Sequence, residues 1–124
     1  MTLVDTSILI DVLRGQDAAV AVLQASHRRG PLHASEITRM EVLAGMRPRE
    51  EAPTRTLLRL LTWHPVDEGV AERAGALGRE WLPSHRGIDS ADLAIAATAL
   101  GLGVPLLTRN VKHFPMIPGL VAPY

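Results

Sequence analysis

The chain has 124 residues, of which 47% are hydrophobic, and its 13 basic and 13 acidic residues give a formal net charge of zero. This length and apolar content suit one globular domain and exclude wholesale disorder, while the neutral charge argues against strong non-specific binding to nucleic acid. Because the sequence has no cysteine and no apolar run of the roughly 20 residues that cross a membrane, disulfides and membrane spans are excluded, and we expect a cytoplasmic protein.

The first predicted element is a short buried strand that runs directly into a helix. The apolar pair Leu3-Val4 is followed by Asp5-Thr6-Ser7 and then by the apolar run Ile8–Ile10. This pattern predicts a strand that ends at Asp5 and a helix over about 7–14, with Thr6 or Ser7 as its N-cap and Gly15 just beyond its end.

Helices and strands alternate along the rest of the chain. The first half is predicted to contain a helix over 18–28, a strand at 32–34, a helix over 35–46 with Ser35 as N-cap, a loop over 48–53 and a helix over 54–61. The second half is predicted to contain a strand at 63–66, a helix from Asp67 or Glu68 to Trp81, a loop over 83–87, a helix from Asp89 to Leu100 ended by Gly101 and Gly103, a strand at 104–108, a helical turn at 112–114 and an edge strand at 120–121. Strands separated by helices predict a parallel sheet with helices on both faces.

Three carboxylates stand in contexts that need a physical reason. Asp5 ends the first strand, Glu41 lies in the helix over 35–46, and Asp92 lies in the first turn of the most apolar helix. If they meet at one end of a parallel sheet, their mutual repulsion requires a hard cation, and Mg²⁺ is bound by oxygen ligands. Because such a cation can activate water against a phosphodiester bond, the pattern is compatible with a metal-dependent nuclease.

Structural interpretations of the same acids stay open. Asp89 and Asp92, three residues apart, match an acidic capping box at a helix start, and Glu41 suits a solvated helix position. Asp5 is the stronger functional indication because it follows a buried strand at the sheet edge where α/β proteins bind ligands. The five histidines show no metal-ligand spacing, and we expect most of them on the surface or in loops.

Four segments, taken together, resemble the PIN-domain ribonucleases, and in particular the VapC-like toxins of bacterial toxin–antitoxin pairs. The segments are Val4–Ser7 with Ile8 and Ile10 after it, Thr38–Gly45 around Glu41, Asp92–Ala99, and Leu107–Asn110 with Phe114 beyond. They follow the family's order and spacing over nearly the whole chain. The resemblance implies a PIN-like α/β/α sandwich with a small central parallel sheet, formed as one domain over residues 1–124.

The resemblance also implies an activity and its partners. The activity is Mg²⁺- or Mn²⁺-dependent endonucleolytic cleavage of RNA, with Asp5, Glu41 and Asp92 as catalytic, metal-binding acids. Family members are usually homodimers, and their partner is a small VapB-like antitoxin whose C-terminal segment covers the active-site groove. The polar groups expected around the acids are Thr6, Ser7, Asp89, Thr108 and Asn110, and the candidates for contact with RNA are Arg109 and Arg39.

One segment departs from the family pattern. The family often has a fourth acid near the end of the last strand, where this chain has Asn110 and, before Phe114, His113. An amide oxygen can ligate a cation but supplies no charge, so we expect a second metal to bind more weakly. Asp89, one helical turn from Asp92, is placed to compensate.

Two other functions fit parts of the sequence. A PIN-like module that binds RNA or protein with weak or no catalysis fits the missing fourth acid and the neutral net charge. A phosphotransfer domain with Asp5 as phospho-acceptor fits less well, because the residue two positions later is Ser7 rather than an aspartate and the only lysine is Lys112.

Overall fold

Short apolar runs form a parallel sheet at the centre of the computed structural model, which describes residues 1–124. The strands are β1 (Thr2–Val4), β2 (Leu32–Ser35), β3 (Leu61–His64) and β4 (Leu106–Leu107), in the order β3-β2-β1-β4. All neighbouring pairs are parallel, so the carboxyl ends of the strands lie along one edge. The predicted parallel sheet is therefore confirmed, and we refer to this edge as the carboxyl edge.

Six helices cover the sheet. They are α1 (Thr6–Leu13), α2 (Asp17–Arg29), α3 (Glu36–Ala44), α4 (Glu51–Leu58), α5 (Glu68–Trp81) and α6 (Ser90–Leu102), with 3-10 turns at Pro48–Glu50 and Val111–His113. None of the helices combines the length and the apolar character needed to cross a membrane.

Two apolar cores separate the sheet from its helices. The first unites Val4, Leu32 and Leu61 of the strands with buried side chains of α1, α2, α3 and α4. The second contains Leu3 and Leu106 together with buried side chains of α6 and the segment around Phe114. Alternate strand residues thus face opposite cores, which is why both faces of so short a sheet are buried.

Helix starts follow the capping residues predicted from the sequence. Ser35 accepts a hydrogen bond from the backbone of Ile37 at the start of α3, and Asp67 accepts one from Val70 at the start of α5. Gly103, with a φ of +67°, ends α6 in the left-handed region that glycine adopts most readily. These three predictions are confirmed.

The region between α3 and β3 was predicted incorrectly. Residues 48–53 form the 3-10 turn and the first turn of α4 rather than a loop, because Pro48 and Pro53 both lie in first turns, where a missing N–H costs little. Helix α4 ends at Leu58 and β3 begins at Leu61, where Leu61 pairs with Leu32. The predicted helix therefore ran too far and the predicted strand started too late.

Three smaller predictions were also wrong. Gly101 lies inside α6 instead of ending it, and residues 120–121 form no strand. Neither Thr6 nor Ser7 caps α1: the N-cap position is Asp5, which makes no side-chain cap bond. Both hydroxyls instead bind carboxylates at the carboxyl edge, as described next.

Candidate active site

Asp5 is a buried carboxylate at the end of β1, with only 3% of its surface exposed. Its Oδ2 atom accepts hydrogen bonds from Ser7 Oγ at 2.8 Å and from Thr108 Oγ1 at 2.6 Å. The two hydroxyls are themselves fixed by backbone amides, since Arg109 N donates to Ser7 Oγ and Asn110 N donates to Thr108 Oγ1. Both side-chain bonds fall on Oδ2, so Oδ1 is the oxygen left for a further ligand.

Glu41 is tied to the same end of the molecule through the first turn of α1. Thr6 Oγ1 donates to Glu41 Oε1 at 2.7 Å and lies 3.0 Å from Thr38 Oγ1. Thr6 follows Asp5 directly in the chain, and Thr38 lies on α3 one turn before Glu41. The first two predicted acids are therefore neighbours, linked by one buried hydroxyl.

Asp92 lies in the first turn of α6 with 8% of its surface exposed. Its backbone N–H donates to Asp89 Oδ1 at 2.8 Å, and its own Oδ2 accepts the Asp89 N–H at 3.1 Å, so the capping-box interpretation is confirmed. His113 Nδ1 lies 3.1 Å from the same Oδ2 atom. Burial, reinforced by the nearby Asp89 carboxylate, raises the pKa of Asp92 to about 6 despite the hydrogen bond from the Asp89 backbone and the nearby His113.

The three acids are not gathered into one closed ligand cluster. The structure contains no group of three or more acidic or histidine side chains at distances that could hold a metal ion. Asp5 and Glu41 share the Thr6 connection, whereas Asp92 has a separate set of partners in Asp89 and His113. The donor set still fits a hard divalent cation in its chemistry, because it consists of carboxylate oxygens, and no hydrogen bond reaches Oδ1 of either aspartate.

The two arginines predicted to contact RNA are engaged within the chain. Arg109 pairs with Asp11 at 2.6 Å, and Asp11 also accepts a hydrogen bond from the Tyr124 hydroxyl. Arg39 pairs with Glu36, and its guanidinium lies 4.2 Å from the centre of a tryptophan ring, that of Trp63. Each is thus a surface ion pair in the free chain.

Sequence reasoning missed three polar contributors. Thr38 lies three residues before Glu41, so helical spacing alone could have placed both on one face. His113 was noted only as a departure from an acid, and its contact with Asp92 had no local signal. His33 is 8% exposed and its Nδ1 lies 2.8 Å from His64 Nε2, so a pair of strand histidines lies where surface or loop positions were expected.

Comparisons with known proteins agree with this architecture. Residues 2–118 match the family model described as the PIN domain. The chain is 45% identical to ribonuclease VapC19 of Mycobacterium tuberculosis over all of both chains, and 40% identical to ribonuclease VapC10 of the same organism over all of this chain and 93% of the relative.

Solved structures show the same fold. A toxin–antitoxin complex from Klebsiella pneumoniae contains a chain that is 36% identical, with a TM-score of 0.83 over 100% of this chain and 98% of that one. FitAcB from Neisseria gonorrhoeae is 27% identical, with a TM-score of 0.71 over 92% of this chain and 91% of that one. The predicted α/β/α sandwich is confirmed, and the chain belongs to the PIN-domain family, among the VapC ribonucleases.

Proposed function

We propose that this chain is an endoribonuclease that acts as the toxin of a toxin–antitoxin pair and hydrolyses RNA phosphodiester bonds. Full-length identity of 45% to a ribonuclease VapC supports the activity. The observation that carries the proposal is Asp5, an almost fully buried carboxylate held by Ser7 and Thr108 at the carboxyl edge. Burying a charge in this way is costly unless a ligand uses it, and the free Oδ1 is available to one.

The residues proposed to hold a divalent cation, Mg²⁺ or Mn²⁺, are Asp5, Glu41 and Asp92. All three present carboxylate oxygens, the ligand type that these ions prefer. A cation held there would supply Lewis-acid chemistry, activating water and stabilising the charge that develops on the phosphodiester. Since Asp92 is separate from the other two acids in the free chain, binding requires α6 and α3, which are in contact, to bring their carboxylates closer.

The surrounding polar groups hold the acids in orientation. Ser7 and Thr108 fix one oxygen of Asp5, and Thr6 fixes one oxygen of Glu41. Asp89 fixes Asp92 through its backbone N–H, so it acts as a helix cap rather than as an extra ligand. Asn110 contributes its backbone N–H to Thr108. Orientation of this kind matters because losing such a contact typically lowers metal affinity or activity ~10–100-fold.

Arg109 and Arg39 enter the proposal as RNA contacts that first exchange partners. Arg109 would leave Asp11 and Arg39 would leave Glu36 when a phosphate approaches. Both side chains are at least one-third exposed, so these ion pairs contribute little and the exchange costs little. A guanidinium binds phosphate with two parallel hydrogen bonds, which favours the exchange.

The proposed partners are a VapB-like antitoxin, a second copy of the chain and the RNA substrate. A toxin–antitoxin complex from Klebsiella pneumoniae and VapBC-1 from nontypeable Haemophilus influenzae are among its structural neighbours, and their identities to this chain are 36% and 25%. We place the protein in the cytoplasm, where RNA and a protein antitoxin would both be accessible.

The test is cleavage of structured RNA by the purified chain with Mg²⁺ or Mn²⁺ and with excess EDTA. D5N, E41Q and D92N should each abolish cleavage while the unfolding transition remains cooperative. D11N is the matched control, because Asp11 is an acid on α1 that binds Arg109 and Tyr124 instead of the site. Cleavage retained by D5N, or by the wild type in EDTA, would overturn the proposed site.

A binding module with weak or no catalysis is the second candidate. The absence of a closed three-ligand group in the structure favours it. Such a module would bind RNA or a partner protein without turnover at any concentration of Mg²⁺ or Mn²⁺. Measuring RNA affinity alongside cleavage therefore separates the two functions.

A further inference from the structure

One oxygen of Asp92 has two donors directed at it. The backbone N–H of Asp89 donates to Oδ2 at 3.1 Å, and His113 Nδ1 lies 3.1 Å from the same atom. No hydrogen bond reaches Oδ1. Asp5 shows the same division, because both of its hydroxyl partners bind Oδ2. In each aspartate, one oxygen is thus engaged by the protein and the other is open.

His113 is held in place by its backbone and by its neighbour in sequence. It ends the 3-10 turn Val111–His113, and its backbone N–H donates to Asn110 O at 2.9 Å. The next residue, Phe114, is 1% exposed and belongs to the second apolar core. The imidazole itself is 42% exposed, so it lies at the mouth of the site with its backbone anchored from below.

A single segment therefore serves both aspartates. Thr108, at the end of β4, binds Asp5, and His113, five residues later, contacts Asp92. Because α6 and β1 are far apart in sequence, this segment is the element that ties the position of one carboxylate to that of the other. The polar role of His113 at this place is not required by packing, since its ring is substantially exposed.

We propose that His113 is a positioning residue for Asp92: its Nδ1–H holds Oδ2 so that Oδ1 is presented to the divalent cation. This inference rests on the proposed function and adds a residue to that site. A neutral imidazole with the proton on Nδ1 is a sufficient donor, so the role does not depend on a charge on the ring. Fixing a ligand oxygen in this way is how neighbouring groups raise metal affinity.

The experiment measures Mn²⁺ affinity of the purified chain, without RNA, by electron paramagnetic resonance of the free ion. H113L removes the donor, H113N replaces it with an amide nitrogen close to the Nδ1 position, and H113Q places the same amide too far along the side chain. We expect H113L and H113Q to bind Mn²⁺ ~10–100-fold more weakly than the wild type, and H113N to bind it nearly as well. A merely structural role would not separate the two amides.

Three results would overturn the inference. They are Mn²⁺ binding by H113L as tight as that of the wild type, binding by H113L that is tighter, and binding by H113N as weak as that of H113L. Unfolding in urea checks that each variant is folded. D92N distinguishes the inference from the proposed function: if D92N loses Mn²⁺ and H113L does not, only the role of His113 fails. If D92N binds Mn²⁺ like the wild type, the proposed cation site fails as well.

Discussion

Thr108 Oγ1 donates a 2.6 Å hydrogen bond to Asp5 Oδ2, across 103 positions of sequence. The bond is possible because β4 lies beside β1 in the sheet, with Leu107 opposite Val4, so the residues that follow both strands emerge together. The hydroxyl is completely buried and also accepts the Asn110 N–H. Thr108 thus connects the two central strands to the acid on which the proposed chemistry depends.

Replacing this hydroxyl should therefore weaken both the fold and the site. T108V keeps the shape of the side chain but leaves the Asp5 carboxylate with one hydroxyl partner, and we expect a stability loss of about 1–3 kcal/mol. Cleavage of RNA should fall ~10–100-fold, because Asp5 loses part of its orientation. Urea unfolding and initial cleavage rates check the two effects. T108S, which retains the hydroxyl, should stay near the wild type in rate; a T108S rate as low as that of T108V would contradict the assignment.

The Thr6 hydroxyl should matter for Glu41 in the same way. T6V removes the 2.7 Å hydrogen bond to Glu41 Oε1 without shortening the side chain. We expect cleavage to fall ~10-fold or more, with the loss in kcat rather than in KM for RNA, because the carboxylate is displaced while the RNA surface is unchanged. T6S should restore the rate. An effect of T6V on KM alone would show that Thr6 does not act through Glu41.

Removing the charge of Asp92 should stabilise the chain in the absence of a cation. The pKa of this carboxyl is raised from 3.8 to about 6, so its ionised form is disfavoured in the folded state. The resulting cost is absent below pH 3.8 and grows as pH rises to about 6, above which it is complete. With allowance for solvent screening, D92N should be more stable by about 1–2 kcal/mol at neutral pH in EDTA, while losing cleavage.

Urea unfolding of D92N and the wild type at several pH values measures this difference. The advantage of D92N should shrink as the pH is lowered, and Mn²⁺ should reduce it by stabilising the wild type alone. D89N is unsuitable as a control because Asp89 caps α6, so E80Q, an exposed acid on α5, serves instead. A D92N chain less stable than the wild type near neutral pH would contradict the prediction.

The histidine pair between β2 and β3 should make the sheet sensitive to acid. Burial, together with His64 and the N-terminal amine, lowers the pKa of His33 from its usual 6.5, so the unfolded chain binds the proton more readily than the folded chain. The contribution of a neutral His33 is therefore complete above pH 6.5 and is lost as the pH falls below it. This sign is opposite to that of Asp92.

The variant H33N tests this pH dependence, because asparagine keeps a polar group near Nδ1 for His64 but does not titrate. The free energy of unfolding of the wild type should fall more steeply than that of H33N as the pH drops from neutral toward about 5. H85N is the control, since His85 lies outside the sheet near Trp81. Equal slopes for the wild type and H33N would contradict the prediction.

Local signals in the sequence were sufficient for much of this architecture. Ser35, Asp67 and Asp89 each begin a helix because their side chains bind the first free backbone amides, a requirement that is visible without any tertiary contact. Asp5 could be placed at the carboxyl edge because a buried strand directly precedes it. The error at Pro48–Pro53 came from treating proline as a breaker, although a first turn tolerates it.

Partners that are distant in the chain could not be predicted. The Arg109–Asp11 pair, the His33–His64 contact and the approach of His113 to Asp92 join elements whose neighbours are set by strand order. The hydroxyls of Thr6 and Ser7 looked like helix caps because capping is the commonest local use of such groups. The acids nearby outcompete the backbone amides for them.

The position of β4 has a consequence for when the site can form during synthesis. A ribosome that has translated the chain only as far as the end of α6 carries an Asp5 whose Oδ2 has Ser7 but not Thr108 as a partner. The edge next to β1 is still open at that stage, because its neighbour on that side has not been made. A nascent toxin would thus remain harmless to the message that encodes it until translation is almost complete.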